Sequence, residues 1–228
     1  SPLTYGLSAS LGDYKSTITK YVNDSKLLTD YYEGMTLGEI WGYHVGGLFR
    51  SDEEAAAYQA AIDDKAVNKG VYSCVAPYNK LMAGDVYFLD LNDDKVIDTG
   101  ANTVNDPGDR TIIGNELPRY IYSLRGNLTW KGFDFAVFFQ GVGKIDWMPS
   151  AGALYFWNSY ANQRISFIPT DFPELCWSEE NTGAYFPRRR TLIASGNSSL
   201  GVTSDRYLQD ASYLRLKNIT LGYTIPIN

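Results

Sequence analysis

The feature that most constrains this chain is a two-residue alternation of apolar and polar side chains in four separate segments. Leu3, Tyr5, Leu7, Ala9 and Leu11 alternate with Thr4, Gly6, Ser8 and Ser10. Successive side chains of a strand point to opposite faces, so this segment reads as a strand with one greasy and one wet side. A second run, Arg119 to Trp130, sets Tyr120, Tyr122, Leu124, Leu128 and Trp130 against Ser123, Arg125, Asn127 and Thr129. After Lys131-Gly132, a pair suited to a tight reversal, Phe133, Phe135, Val137 and Phe139 alternate with Asp134, Ala136, Phe138 and Gln140. A fourth segment has Ile219, Leu221, Tyr223 and Ile225 against Asn218, Thr220, Gly222 and Thr224, and is closed by Pro226.

The connections restrict the architecture further. One is the two-residue reversal; the others, from about Tyr21 to Pro118 and from Gly141 to Asp210, are long and irregular in pattern. If the first strand runs up, both long connections fall at one end and the short turn at the other. That asymmetry marks an outer-membrane barrel, with short periplasmic turns and long extracellular loops. A soluble β-sandwich also has alternating strands, but two loops of that length would be unusual in one. The resulting division is a barrel strand in 1–21, a long loop region in 22–118, a barrel hairpin in 119–141, a second long loop in 142–210 and a barrel strand in 211–228. Within the first loop, Ser51-Asp52-Glu53-Glu54 before Ala55 to Ile62 predicts a short helix near 52–62. Ser51 would be its N-cap, Glu54 its capping-box partner, and the acids would sit at the positive end of the dipole.

Composition excludes several functions. Net charge is −6 and Arg188-Arg189-Arg190 is the one basic tract, so no phosphate-tracking surface for nucleic acid is indicated. Cys74 and Cys176 lie far apart and His44 is the sole histidine, which removes a Cys/His zinc site. The two cysteines read as buried or free thiols, or as a disulfide between loops in an oxidising compartment. No apolar run approaches the ~18 residues of a membrane helix, so any membrane passage is by strands. No nucleophile motif neighbours His44, no glycine cradle for phosphate is present, and spacing places no two carboxylates as a glycosidase pair. The chain is therefore not read as an enzyme.

Two constellations remain. Asp90, Asn92, Asp94, Val96 and Asp98 occupy positions that resemble the first nine of an EF-hand loop, where oxygens converge on calcium. Lys95 stands where the sharp turn favours glycine, and Ala101 where a bidentate Glu closes the shell; Asp106 or Asp109 would have to complete it. The other reading is an Asx-rich turn held by its own hydrogen bonds. No cofactor is required otherwise. The second constellation is aromatic: Trp147, Tyr155, Phe156, Trp157, Tyr160, Phe167 and Trp177 crowd the second long connection. Such rings either stack on sugars or a partner, with Trp147, Tyr155, Trp157, Tyr160 and Trp177 as candidates, or form a core for the loop itself.

Several blocks resemble the C-terminal barrel region of SusC/RagA-type TonB-linked outer-membrane receptors. They are Tyr31-Tyr32-Glu33-Gly34 with Gly38 to Tyr43 and Gly47-Leu48-Phe49; Gly84-Asp85 through Asp90-Leu91-Asn92 to Ile97-Asp98; Asp109 to Asn115; Lys131 to Asp134 with Phe138 to Gly141; and Ala211 to Tyr223. The blocks occur in family order over nearly the whole chain. The Asp-rich turn departs from the family, which usually has glycine at positions 93 and 95. The resemblance implies antiparallel strands of a transmembrane barrel of roughly 22 strands, with this chain a C-terminal segment lacking the plug and the last strands. It further implies an outer-membrane location in a Bacteroidetes-type Gram-negative bacterium. The implied role is import of glycan or peptide fragments, with a SusD-like surface lipoprotein as partner and the TonB complex contacted through the N-terminal region this chain lacks. The competing reading is a secreted calcium-dependent glycan-binding β-sandwich. In the barrel the apolar face from Tyr120 to Phe139 meets lipid; in the sandwich it meets a second sheet.

Overall fold

The computed structural model describes residues 3–162, 164–165, 167–190, 192–194, 196 and 198–225; Pro226 lies outside them. In chain order the elements are β1 (Thr4–Gly12), β2 (Glu39–Tyr43), β3 (Val45–Leu48), α1 (Asp52–Ala61), α2 (Lys69–Tyr72), β4 (Val86–Phe88), β5 (Arg110–Asn115), β6 (Arg119–Trp130), β7 (Phe133–Lys144) and β8 (Asp146–Trp147). The one-turn helices α3 (Leu154–Trp157), α4 (Ser159–Asn162) and α5 (Phe172–Leu175) follow, then β9 (Cys176–Trp177), β10 (Phe186–Arg188), β11 (Gln209–Asp210) and β12 (Tyr213–Tyr223). The four long strands form one antiparallel sheet in the order β1-β6-β7-β12, which is also their order in the chain. The sheet is open, with β1 and β12 at its edges.

Register turns the four alternating patterns into one surface. Tyr5 faces Leu128, which faces Phe135, which faces Leu221; Leu7, Gly126, Val137 and Ile219 form the next row, and Ala9, Leu124, Phe139 and Leu216 the one after. Paired residues share a face, so one side of the sheet is apolar across all four strands. Much of it is open to the surroundings: Leu7 and Leu221 are each 74% exposed. The opposite side carries rows such as Ser10, Ser123, Gln140 and Arg215, with Ser10 and Ser123 hydroxyls 2.7 Å apart. In β12, Leu214 and Leu216 are out of phase with Ile219 and Leu221. A register shift between Leu216 and Asn218 absorbs the extra residue and returns all four leucine and isoleucine side chains to the apolar side.

The hairpin joining β6 and β7 turns on Lys131 (φ 47°) and Gly132 (φ 86°). Two successive positive φ values define a type I′ reversal, whose twist matches the flanking strands and for which glycine is the least strained second residue. Beside it Trp130, Phe133 and Tyr223 cluster, the last two rings 4.5 Å apart. At the other end of the sheet Tyr120 and Tyr122 occupy the same apolar side, so aromatic side chains mark both ends of the aliphatic band.

The two long connections are not irregular loops. They fold together at the far end from the hairpin into a cap with a core of its own. β2 pairs with β5, β3 with β4, β9 with β10 and β8 with β11. Phe49, Phe88 and Ile97 from the first connection are buried with Trp157, Tyr160, Phe172, Ile193 and Tyr207 from the second. The helix α1 lies within this cap; the Ser51 hydroxyl accepts the Glu54 amide at 3.2 Å, and Glu54 reaches back to the Arg50 amide at 2.6 Å. That return bond falls one residue earlier than in a reciprocal capping box.

One ion pair joins the halves of the cap. Arg190 donates from Nε and Nη2 to the two carboxylate oxygens of Asp85, at 2.7 and 2.5 Å, with both side chains almost fully buried. Its remaining donors reach the carbonyls of Tyr78 and Lys80, and Asp85 also accepts the Met82 amide at 2.9 Å. Burial pushes the Asp85 carboxyl up from its usual range against the pull of the Arg190 guanidinium. Deleting one member of such a pair strands the other charge without water. Arg190→Met is therefore expected to destabilise the cap by about 3–5 kcal/mol, and Arg190→Met with Asp85→Leu by clearly less. Protease sensitivity of the connections in the folded protein checks this; equal sensitivity of the single and double variants would reject it.

Candidate functional site

The surface offered to a ligand or partner is the outside of the cap, since the aliphatic side of the sheet carries few polar groups. Its aromatic residues separate into two sets. Trp157 and Tyr160 are fully buried: the Trp157 indole donates to the Ser150 carbonyl at 2.8 Å and the Tyr160 hydroxyl to the Pro187 carbonyl at 2.7 Å. Neither can contact cargo or a partner, and the expectation for these two is corrected; they are the core that folds the second connection. Edge-to-face packing of Trp157 on Tyr207 and Phe156, and a tilted approach of Tyr160 to Phe186, account for them. Trp147 (51% exposed) and Tyr155 (88%) remain outside, as does Phe167. Trp177 is half-buried, its ring packed over Gly84, where a Cβ would fall 2.2 Å from it, and beneath the Arg188 guanidinium.

The acidic turn is built from its own hydrogen bonds. Asp90 Oδ2 accepts the Lys95 amide at 2.9 Å, Asn92 Oδ1 the Asp94 amide at 3.1 Å, and Asp94 Oδ1 the Val96 amide at 2.8 Å, while Asp98 accepts from Gly100. Asp93 and Lys95 both take positive φ, the conformation for which glycine is the easy residue. Asp109 closes the turn from below, accepting the amides of Leu91 and Asp98 at 2.8 and 3.0 Å. Burial pushes the Asp109 carboxyl up, the two amide bonds pull it down, and the charges of Asp90 and Asp94 raise it again. Asp90 Oδ1 is buried without a partner. Among the described residues, however, no three His, Cys, Asp or Glu side chains converge on a point that would hold a metal ion. The backbone amides that these side-chain oxygens accept are sufficient to hold the shape of the turn.

His44 joins the two connections. Its Nδ1 lies 2.7 Å from Asp205 and its Nε2 2.7 Å from the Thr111 hydroxyl, while Asp205 also accepts the Val45 amide at 2.9 Å. A hydroxyl, an imidazole and a carboxylate in line is the arrangement of an acyl-transfer relay. Here Thr111 sits within the β2-β5 ladder opposite Gly42, and its role is to fasten β5 to the Asp205 turn. Neither this triad nor the Asp85–Arg190 pair was found from the sequence. Only the isolation of the single histidine and the Gly84-Asp85 block gave a signal, because the partners lie far along the chain: Thr111 67 and Asp205 161 residues from His44, and Arg190 105 from Asp85. Cys74 is half-buried and Cys176 buried, and both are free thiols.

On the polar side of the sheet, Arg125 lies with Ala136, Phe138, Asn218 and Thr220 around a shallow depression. Arg215 lies on the same side of the sheet, in the neighbouring row with Ser123 and Gln140.

No family model matches the chain. Three proteins of Formosa agariphila (strain DSM 15362 / KCTC 12365 / LMG 23005 / KMM 3901 / M-2Alg 35-1) are similar to it. TonB-dependent receptor P26 is 30% identical over 150 residues, covering 64% of this chain and 13% of its own length. TonB-dependent receptor P3 is 27% identical over 201 residues, covering 85% and 16%. TonB-dependent receptor P39 is 24% identical over 209 residues, covering 84% and 19%. The chain thus spans less than a fifth of the length of these relatives. Similarity to TonB-dependent receptors extends over most of it.

Because the acidic turn is held by amides, Asp94→Ala is expected to destabilise the first connection by about 1 kcal/mol for its lost hydrogen bonds. The loss should be the same with calcium or with a chelator. Thermal melts of wild type and variant under both conditions check this, and a calcium-dependent rise confined to wild type would restore the metal.

Proposed function

We propose that the chain forms part of the wall and the outer cap of a TonB-dependent outer-membrane importer of the SusC/RagA type. In this reading the importer admits glycan or peptide fragments beneath a SusD-like lipoprotein. The observation that carries it is the aliphatic side of the sheet, four strands wide, bounded by aromatic residues at both ends and backed by a polar side. Strands of 9 to 12 residues suit a bilayer, which a tilted strand crosses in about 9–11 residues. A lipid-facing band between aromatic girdles, with a polar interior, is the pattern of an outer-membrane barrel wall. The long connections gather at one end and the two-residue hairpin lies at the other, as extracellular loops and periplasmic turns would. Similarity to three TonB-dependent receptors supports the same reading.

The rival, a secreted glycan-binding sandwich, needs a second sheet against the aliphatic side. Among the described residues every other sheet has two short strands, and the buried core lies in the connections instead. Within the importer, TonB contact belongs to parts of the receptor outside this chain. The cap would receive the lipoprotein and its cargo, with Trp147 and Tyr155 as the exposed anchors.

Two measurements test this. Ile219 and Thr220 are neighbours in β12 on opposite sides of the sheet. Ile219→Arg is expected to weaken membrane assembly by about 2–4 kcal/mol, as for a cation at the bilayer midplane, and Thr220→Arg much less. Heat-modifiability on gels of outer-membrane fractions reads this, and equal tolerance of both would sink the lipid-facing assignment. Trp147→Ala with Tyr155→Ala should reduce copurification of the lipoprotein or uptake of cognate cargo while leaving assembly intact. Normal uptake and copurification would place recognition elsewhere in the receptor.

A further inference from the structure

Between α2 and the chain leaving β10 lies a cleft of about 580 Å³ whose lining includes Cys74, Val75, Tyr78, Arg188, Arg189 and Leu192. That volume is within the range of small-ligand sites, roughly 300–1,000 Å³. Its charge is unlike that of the rest of the molecule. The chain has 26 acidic residues and a net charge of −6, yet residues 65–84 and 181–204 contain no Asp or Glu. These two acid-free segments supply the cleft walls, and they carry Lys65, Lys69, Lys80, Arg188, Arg189 and Arg190.

The arginines play different parts. Arg190 is spent: Asp85 neutralises it, and its bonds to the Tyr78 and Lys80 carbonyls fix the rim. Arg188 is held in place, its amide bonded to the Gly84 carbonyl at 2.7 Å and its guanidinium 5.7 Å from the Trp177 ring centre. On its other flank Arg188 borders a second depression that carries Asp52, Glu53 and Glu179, so part of its charge is offset there. Arg189 is exposed, and among the described residues it makes no ion pair. Facing these cations are the exposed side chains of Val75 and Tyr78 and the apolar Leu192.

An aromatic and aliphatic wall beside the Arg189 guanidinium, with the partly offset Arg188 next to it, is complementary to a ring-shaped ligand with an anionic substituent. Guanidinium binds carboxylate or sulfate through two parallel hydrogen bonds, and an apolar wall covers the face of a sugar. We propose that this cleft binds an acidic saccharide, with the sugar against Tyr78 and Val75 and its carboxylate or sulfate on Arg189, assisted by Arg188. The choice of a saccharide rests on the importer reading; the requirement for an anion rests on the charge of the cleft alone.

The test is equilibrium titration of the detergent-solubilised protein with three probes: trigalacturonate, a sulfated carrageenan tetrasaccharide, and neutral galactotriose. At least one acidic probe is expected to bind about tenfold or more tightly than the neutral one, an advantage of 1.4 kcal/mol per decade. The preference should shrink at high salt, and whichever acidic probe wins identifies the substituent. Arg189→Gln should abolish the preference, and Arg189→Lys should keep part of it. Equal affinity for neutral and acidic probes, or an unchanged preference in Arg189→Gln, overturns the proposal. No binding of any probe overturns it as well. If uptake of cognate cargo persists in that case, the importer reading survives; if uptake is also absent, both fall.

Discussion

The Asp85–Arg190 pair sits where the two long connections meet, and the rest of the cap is arranged around it. Gly84, Asp85 and the chain at Arg188 to Arg190 form a seam: the Arg188 amide bonds to the Gly84 carbonyl, the Gly84 amide to the Phe49 carbonyl, and the Phe49 amide to the Asp85 carbonyl. Two charges taken out of water are tolerated only when paired and fully hydrogen-bonded. Here every oxygen of the Asp85 carboxylate and all three guanidinium nitrogens have partners. The pair selects one mutual placement of the connections, because sliding either by one residue would leave a buried charge unmatched. The shared core of Phe49, Phe88, Trp157 and Tyr160 then packs on either side of a seam already in register.

Below the cap a different constraint operates. A strand must satisfy its backbone hydrogen bonds with neighbours, while its side chains divide between two environments. The four long strands divide them the same way, and the shift at Lys217 shows how strictly: an odd residue is expelled from the ladder rather than allowed to turn Leu214 and Leu216 to the polar side. Cap and sheet are joined through β8 and β11, which carry the β7-β12 pairing upward, and through Asp146, which accepts the Asn115 amide at 2.8 Å. Contacts made by the cap are in this way rigidly tied to the wall.

The division of labour among aromatic residues follows from the same two constraints. Rings at the sheet ends lie on the aliphatic side, where an amphipathic ring suits a boundary between apolar and wet surroundings. Rings of the second connection mostly supply its core, since a long connection without one could not offset the entropy of ordering it. Trp147, Tyr155 and Phe167 fall outside both groups; the first two, with the arginine cleft, are the parts of the cap surface that we propose for recognition.

Local pattern determined the wall. Alternation at period two marked the four long strands and the side most of their residues face, and Lys131-Gly132 marked the hairpin, because those properties depend only on neighbours along the chain; the shift at Lys217 that brings Leu214 and Leu216 to the apolar side was not legible in this way. The helix at Asp52–Ala61 was legible for the same reason, from its capping residues. The sequence could not tell that the long connections fold together, nor that Trp157 and Tyr160 are core while Tyr155 is surface. Burial there depends on contacts such as Tyr160 with Phe186 and Trp157 with Tyr207, 26 and 50 positions apart, and no periodicity records these. It also suggested a cation at Asp90 to Asp98, where one oxygen each of Asp90, Asn92, Asp94 and Asp98 accepts a backbone amide in the folded turn. His44 with Asp205, Asp85 with Arg190, and the meeting of two acid-free segments at one cleft were decided in three dimensions. Charge and hydrogen-bond complementarity is a property of pairs brought together by the fold, and each residue alone carries only half of it.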